Sequence, residues 1–147
     1  MPLTSDVNAK VVPNGNDGRR DNVYVCYSNT SPVRQSTVEQ RLQPFRIPTG
    51  WTVAYNDLHE IDPTDVPDDD RYTYLKEDLL RMTQEHFDRS LDVGWYPSGN
   101  FADGAYTLAL YEGDFHGKLL FEMRTPDRAR LVAEVERLLH EVSGGRL

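Results

Sequence analysis

Residues 56–70, NDLHEIDPTDVPDDD, concentrate the side chains of this chain that are best suited to chemistry. The stretch holds seven carboxylates and one histidine, and it contains neither lysine nor arginine. Carboxylate oxygens and an imidazole nitrogen can coordinate a divalent cation, serve as an acid and a base, or attract a basic partner. The composition alone leaves these three uses open, beside a fourth in which the stretch is a solvated loop.

The most chemical-looking part of this stretch is DLHEID, with four candidate metal ligands, Asp57, His59, Glu60 and Asp62. If the preceding strand continues through DLHEID, Asp57 and His59 lie on one face, and Glu60 and Asp62 lie on the other. Each side then offers only two ligands to a metal ion. The stretch also lacks the glycine and the terminal glutamate of an EF-hand loop. We therefore expect no metal site, and a metal-assisted hydrolase that uses these carboxylates is the alternative within the enzyme class.

Other signatures of catalysis are missing from the sequence. It contains no P-loop, no dinucleotide-binding fingerprint and no serine nucleophile elbow. The remaining histidines, His86, His116 and His140, stand far apart and read as helix-end or loop residues. We expect a protein that is not an enzyme and that needs no cofactor.

The charge of the chain is unevenly distributed. Residues 1–50 carry six Lys/Arg and four Asp/Glu, a net of +2, whereas residues 51–147 carry ten and twenty, a net of −10, which together give −8. A domain at −10 repels a phosphate backbone, so we expect no direct binding to nucleic acid. The same field favours a basic protein partner, although an acidic surface also serves solubility alone.

Length and composition indicate a globular protein. A chain of 147 residues with 38% hydrophobic residues can bury one core. No apolar run is long enough to span a membrane, and the N-terminus lacks the apolar segment of a secretory signal. Its one cysteine, Cys26, excludes an internal disulfide. We expect a soluble cytoplasmic protein without membrane contact, whose oligomeric state the sequence does not indicate.

The polar residues 1–22, with scattered proline, glycine and asparagine, predict a disordered or loosely attached tail. Residues 23–147 then form a single domain, with a short strand at VYVCY, residues 23–27, and an ordered core from residue 51. The role of the first 50 residues is not indicated by any motif.

Hydrophobic periodicity predicts an α+β domain with a mainly antiparallel sheet. WTVAYNDL alternates as a strand, residues 68–87 show helical spacing, and LDVGWY, AYTLALY and KLLFEM alternate as a three-stranded meander with loops at 97–104 and 112–117. A last helix begins with Thr125 as N-cap and Pro126 in its first turn. The order is strand, helix, three strands, helix, with both helices on one face. The predicted core residues are Leu79, Val93, Leu108, Phe121, Leu131 and Leu138.

Alternation also predicts a surface for a partner. Since Trp95 and Tyr96 are adjacent in a strand, one faces the core and the other the opposite side of the sheet. If that side is open, Tyr96, Tyr111 and Asn56 form an amphipathic patch there, in which the tyrosines can anchor an interface. The predicted partner-binding residues combine this patch with the acidic stretch: Asn56, Asp57, His59, Glu60, Asp62, Asp65, Tyr96 and Tyr111.

The order and style of these segments resemble small bacterial immunity proteins. The resemblance covers about residues 51–142 and rests on WTVAYNDLHEIDP, YLKEDLL, LDVGWYPSGNFADGAYTLALY and the turn FEMRTPD. Such proteins accompany polymorphic or contact-dependent-inhibition toxins, in the manner of toxin–antitoxin pairs, and neutralise them by binding. The resemblance implies a small acidic inhibitor of a toxin domain, such as a nuclease, and no particular site residue. The alternative is an interaction or regulatory module of phage or bacterial origin, including a nucleic-acid mimic.

Overall fold

The computed structural model describes the backbone of residues 7–13 and 22–28, together with residues 40–98 and 100–147. The chain divides into two units, Met1–Val38 and Glu39–Leu147. In the first unit, strand β1 (Val7–Pro13) pairs antiparallel with β2 (Asn22–Ser28), which contains the strand predicted at 23–27. The tail predicted for residues 1–22 includes β1 but otherwise lies mostly outside the described residues, so that expectation stays a prediction.

The second unit is built on a five-stranded antiparallel meander, which confirms the predicted α+β class. Each strand is hydrogen-bonded to the next one along the chain. A C-terminal helix, α2 (Arg128–Ser143), packs on the sheet. The five strands are β3 (Trp51–Asn56), β4 (Leu80–Gln84), β5 (Arg89–Ser98), β6 (Asn100–Glu112) and β7 (Lys118–Thr125).

The helix predicted over residues 68–87 is wrong for most of its length. A 3₁₀ turn at Asp68–Asp70 leads into a single α-helical turn, α1 (Arg71–Tyr74), and the backbone leaves the helical region at Leu75 (φ −118°, ψ 85°). Strand β4 then follows, and it hydrogen-bonds to β3 on one side and to β5 on the other. These pairings with distant segments override the local helical spacing.

The hairpin between β5 and β6 is longer than the sequence predicts. The segment 97–104, predicted as a loop, is mostly strand, since β5 continues to Ser98 and β6 begins at Asn100. The loop between β6 and β7 falls where it was predicted, after Glu112 and before Lys118. The β5–β6 ribbon is therefore the longest pair of strands in the sheet.

Helix α2 begins later than predicted, because Asp127 caps it and Thr125 does not. The Asp127 carboxylate accepts hydrogen bonds from the backbone N–H groups of Ala129 (2.9 Å) and Arg130 (3.3 Å). Thr125 is the last residue of β7, and its hydroxyl accepts a hydrogen bond from the Asp127 N–H over 3.1 Å. The two side chains together shape the turn from strand into helix.

The core lies between one face of the sheet and α2. That face carries the buried residues of the alternating strands, and α2 contributes its apolar stripe of Leu131, Val135, Leu138, Leu139 and Val142. Of the six predicted core residues, five are fully buried, whereas Phe121 is half-buried and packs at the margin. Leu58, Val66 and Leu75, from the segment between β3 and β4, are also buried in this core.

The opposite face of the sheet, called here the open face, is the face on which α2 does not pack. Its central row is formed by Tyr55, Arg81 and Asp92, which are register partners across β3, β4 and β5. Tyr55 reaches this row because the β3–β4 register shifts between Val53 and Tyr55. In a regular strand Val53 and Tyr55 would share one face, and the bulge moves Tyr55 to the other.

Candidate protein-binding surface

The acidic stretch 56–70 is compensated by cations that lie outside it in sequence. Lys76 and Arg128 come from the β3–β4 connection and from α2, and Arg71 comes from α1. The resulting ion pairs join Asp57 to Lys76, Asp62 to Arg128 (2.8 Å) and Asp68 to Arg71 (2.6 Å). Three of the seven carboxylates therefore have an ion-pair partner outside the stretch.

Two further predicted residues, Asn56 and His59, shape the turn after β3. The Asn56 side-chain oxygen accepts a hydrogen bond from the Leu58 N–H over 3.2 Å. His59 Nδ1 lies 2.9 Å from the backbone oxygen of Asp57, and its ring packs edge-to-face on Tyr74 with 5.0 Å between centroids. These contacts hold the chain where it leaves the sheet.

Glu60 and Asp65 keep their charge exposed to solvent. Among residues 40–98 and 100–147, neither side chain forms an ion pair, and Asp65 closes the 3₁₀ turn Pro63–Asp65. Asp62, between them, is held beside the N-terminal end of α2 by Arg128. The acidic stretch thus keeps uncompensated negative charge. One of its carboxylates, Asp62, lies against α2, the helix that packs on the core side of the sheet.

The predicted tyrosines lie on the open face. Tyr96 is 38% exposed, and Tyr111 is half-buried, with its ring edge-to-face on Phe115 at 6.0 Å. Tyr55, which the bulge in β3 turns to this side, joins them on the open face and is 41% exposed. Tyrosine presents an apolar ring with a polar tip, so the three side chains give this face anchors of the kind that interfaces favour.

Arg81 stands at the centre of this face among acidic and aromatic groups. Its Nε lies 3.4 Å from Asp92 Oδ1, and a terminal nitrogen lies 3.5 Å from Asp78 Oδ1. The Phe115 ring lies against the guanidinium, with its centroid 4.1 Å from Cζ. A hollow of about 250 Å³ opens beside Arg81, and it is lined by Tyr55, Asp78, Leu80, Arg81 and Asp92.

Burial and neighbouring carboxylates shift the ionisation of this face. Burial raises the pKa of Asp92, which the Arg81 charge and hydrogen bond lower only in part. Burial also raises the pKa of Tyr96, and the charges of Asp92 and Glu77 raise it further. Asp92 is therefore a carboxylate whose negative charge is not fully compensated where it stands.

The predicted site residues fall into separate groups. Tyr96 and Tyr111 share the open face. Asn56 is the last residue of β3 and pairs with buried Leu80, so it does not join the two tyrosines as the sequence predicts. Asp57 and His59 lie in the turn after β3, and Glu60, Asp62 and Asp65 follow in the acidic stretch. The residues that line the hollow were not predicted as site residues. The sequence does not indicate Tyr55 because the bulge changes its face, and it does not indicate Asp78 and Arg81 because the spacing predicts a helix over their segment. Asp92 could have been found from its alternation with buried Leu91 and Val93.

Among the residues that the structure describes, no three or more His, Cys, Asp or Glu side chains are grouped so that they could hold a metal ion. Within the same part of the chain, no helix has the length and apolar character needed to cross a membrane. Comparison of the chain with protein-family models, curated proteins and solved structures finds no match.

Proposed function

We propose that this chain is a non-catalytic binding protein that docks a basic protein partner on the open face of its sheet. The observation that carries the proposal is the composition of this face. It presents exposed Tyr55 and Tyr96 beside Asp78 and Asp92, and no helix among residues 40–98 and 100–147 covers it.

Tyrosines on a rigid sheet suit an interface because they offer large contact area at a small cost in conformational entropy. The strand β5, which carries Tyr96, is hydrogen-bonded on both sides to β4 and β6. The anchors are therefore held in place before any partner arrives, which lowers the entropic cost of association.

Charge supports a basic partner. Residues 51–147 carry a net charge of −10, from ten Lys/Arg and twenty Asp/Glu. Such a field speeds the encounter with a positively charged protein, and its effect falls with ionic strength. Exposed Glu60 and Asp65 add to this field without serving as partners of the fold.

We further propose that the partner is a toxin domain and that binding neutralises it, as the resemblance to immunity proteins implies. A nuclease toxin has a basic site for phosphate, and an acidic surface can occupy the field meant for nucleic acid. In this arrangement the bound chain blocks the active site of the partner and needs no catalysis of its own.

The test is affinity capture from the native host with the wild-type chain and with Tyr96→Ala as baits. We expect the wild type to retain a basic protein that Tyr96→Ala retains much less, with retention falling at high salt. Tyr72→Ala is the matched control, because Tyr72 is a 78% exposed tyrosine that lies in α1 rather than in the sheet. The activity of the retained protein is then measured with one equivalent of the chain added.

Two outcomes would contradict the proposal in different ways. If Tyr96→Ala and the wild type retain the partner equally well, the partner does not dock on the open face. A retained protein that keeps full activity when bound would make the chain an interaction module and not an inhibitor.

A further inference from the structure

We infer that the hollow beside Arg81 receives one arginine side chain of the partner. This inference rests on the proposed function, since it assigns a chemical group of the partner to one place on the open face. The hollow holds about 250 Å³, which is the liquid volume of roughly eight waters and enough for one long side chain.

The charges that line the hollow favour a cation. Asp78 and Asp92 share the single guanidinium of Arg81, so two negative charges face one positive charge and leave a local net of −1. Both contacts of Arg81 are long, at 3.5 Å and 3.4 Å, and the Asp78 side chain is 72% exposed. A second cation can therefore approach these carboxylates without displacing a tight ion pair.

The raised pKa of Asp92 agrees with this local excess of negative charge. Burial raises its pKa although Arg81 stands beside it, which means that its negative charge is under-compensated in the unbound chain. An arriving cation supplies the missing compensation. Asp78 and Asp92 would repel an anion. A free metal ion would be repelled by Arg81 and would find too few oxygen ligands in the hollow.

The shape and aromatic lining favour arginine over lysine. Tyr55 forms one wall of the hollow, and Phe115 already stacks against the Arg81 guanidinium at 4.1 Å. A guanidinium is planar, stacks on aromatic rings and on another guanidinium, and can fork between two carboxylates. The ammonium group of lysine is a compact, strongly hydrated charge that gains less from such walls.

The experiment is a titration of the ¹⁵N-labelled full chain with acetylated, amidated hexa-arginine, followed by NMR, with hexa-lysine as the matched probe. We expect the backbone shifts of Tyr55, Arg81 and Asp92 to move most, and hexa-arginine to bind more tightly than hexa-lysine. Asp78→Asn should weaken binding of hexa-arginine by about two- to fivefold, as for a partly exposed ion pair. Thermal unfolding of each variant verifies that it is folded.

Asp69→Asn is the control, because it removes the same charge from an exposed position in the acidic stretch. Equal weakening by Asp69→Asn and Asp78→Asn, shifts centred on residues 56–70, or equal affinity for the two peptides would overturn the inference. The peptide titration needs no natural partner. Capture that depends on Tyr96 without peptide binding in the hollow would thus overturn this inference alone, and the reverse result would overturn the proposed function alone.

Discussion

Arg128 donates a hydrogen bond from its Nε to Asp62 Oδ1 over 2.8 Å, although 66 residues separate the two in sequence. The same guanidinium also donates to the side-chain oxygen of Gln43, which is buried. One side chain thus joins α2, the acidic stretch and the segment before β3. Asp62, which by sequence is part of an uncompensated acidic run, is by structure a member of this junction.

Arg128→Ala should lower the free energy of unfolding by about 1–3 kcal/mol. Most of the loss comes from the buried Gln43 amide, which is left without its charged donor, while the more exposed pair with Asp62 contributes less. Urea unfolding measures the difference. Arg130→Ala, at the exposed surface of the same helix, is the control, and a loss of the same size there would contradict the role of the junction.

Asp127→Ala should cost about 0.5–2 kcal/mol, because it removes the cap of α2 and leaves two backbone N–H groups without their acceptor. Asp127→Asn should recover most of this loss, since its side-chain oxygen can still accept both bonds. Thermal unfolding of the two variants distinguishes a capping role from a charge effect. Equal stability of the alanine variant and the wild type would show that Thr125 suffices to start the helix.

Gly94→Ala should destabilise the sheet by about 1–3 kcal/mol through overpacking. A Cβ at this position would lie 2.0 Å from the backbone oxygen of Glu77, which the main chain holds close through the hydrogen bond from Trp95 N to Lys76 O. Thr107→Ala, at the register partner on β6, is the control. If Gly94→Ala unfolds at the same urea concentration as the wild type, the segment around Glu77 moves away from the added methyl group without loss of stability.

The stability of the chain should depend on pH through Asp92. Burial raises the pKa of Asp92 in the folded chain above its value of about 3.9 in the unfolded chain. At a pH between the unfolded-state pKa and the folded-state pKa, the folded chain therefore holds a proton that the unfolded chain has lost. This contribution to stability is therefore present at low pH and disappears as the pH rises through the folded pKa. As the pH rises from the unfolded-state pKa to the folded-state pKa of Asp92, the wild type should lose stability relative to Asp92→Asn.

Urea midpoints of the wild type and Asp92→Asn, measured from pH 3.5 to 7, test this sign. Asp69→Asn, at an exposed position, corrects for the change in net charge. A difference between wild type and Asp92→Asn that stays constant, or that favours the wild type more as the pH rises, would show that Arg81 compensates the carboxylate fully.

Local patterns in the sequence determined the class of the fold and much of its core. The alternation of Leu91, Val93 and Trp95 marks one face of β5, and the spacing of Leu131, Val135 and Leu138 marks one side of α2. Both patterns lie within one element, where the period of the backbone alone decides which side chains point the same way.

The tertiary structure alone decided the identity of β4 and the composition of the candidate surface. Leu75, Leu79 and Met82 fit a helix, but Leu80 and Met82 also fit a strand, and the hydrogen bonds to β3 and β5 choose the strand. That choice aligns Arg81 with Asp92, and the bulge in β3 adds Tyr55 to the same row. Strand register and ion pairs join residues that are distant in sequence, so no local pattern encodes them.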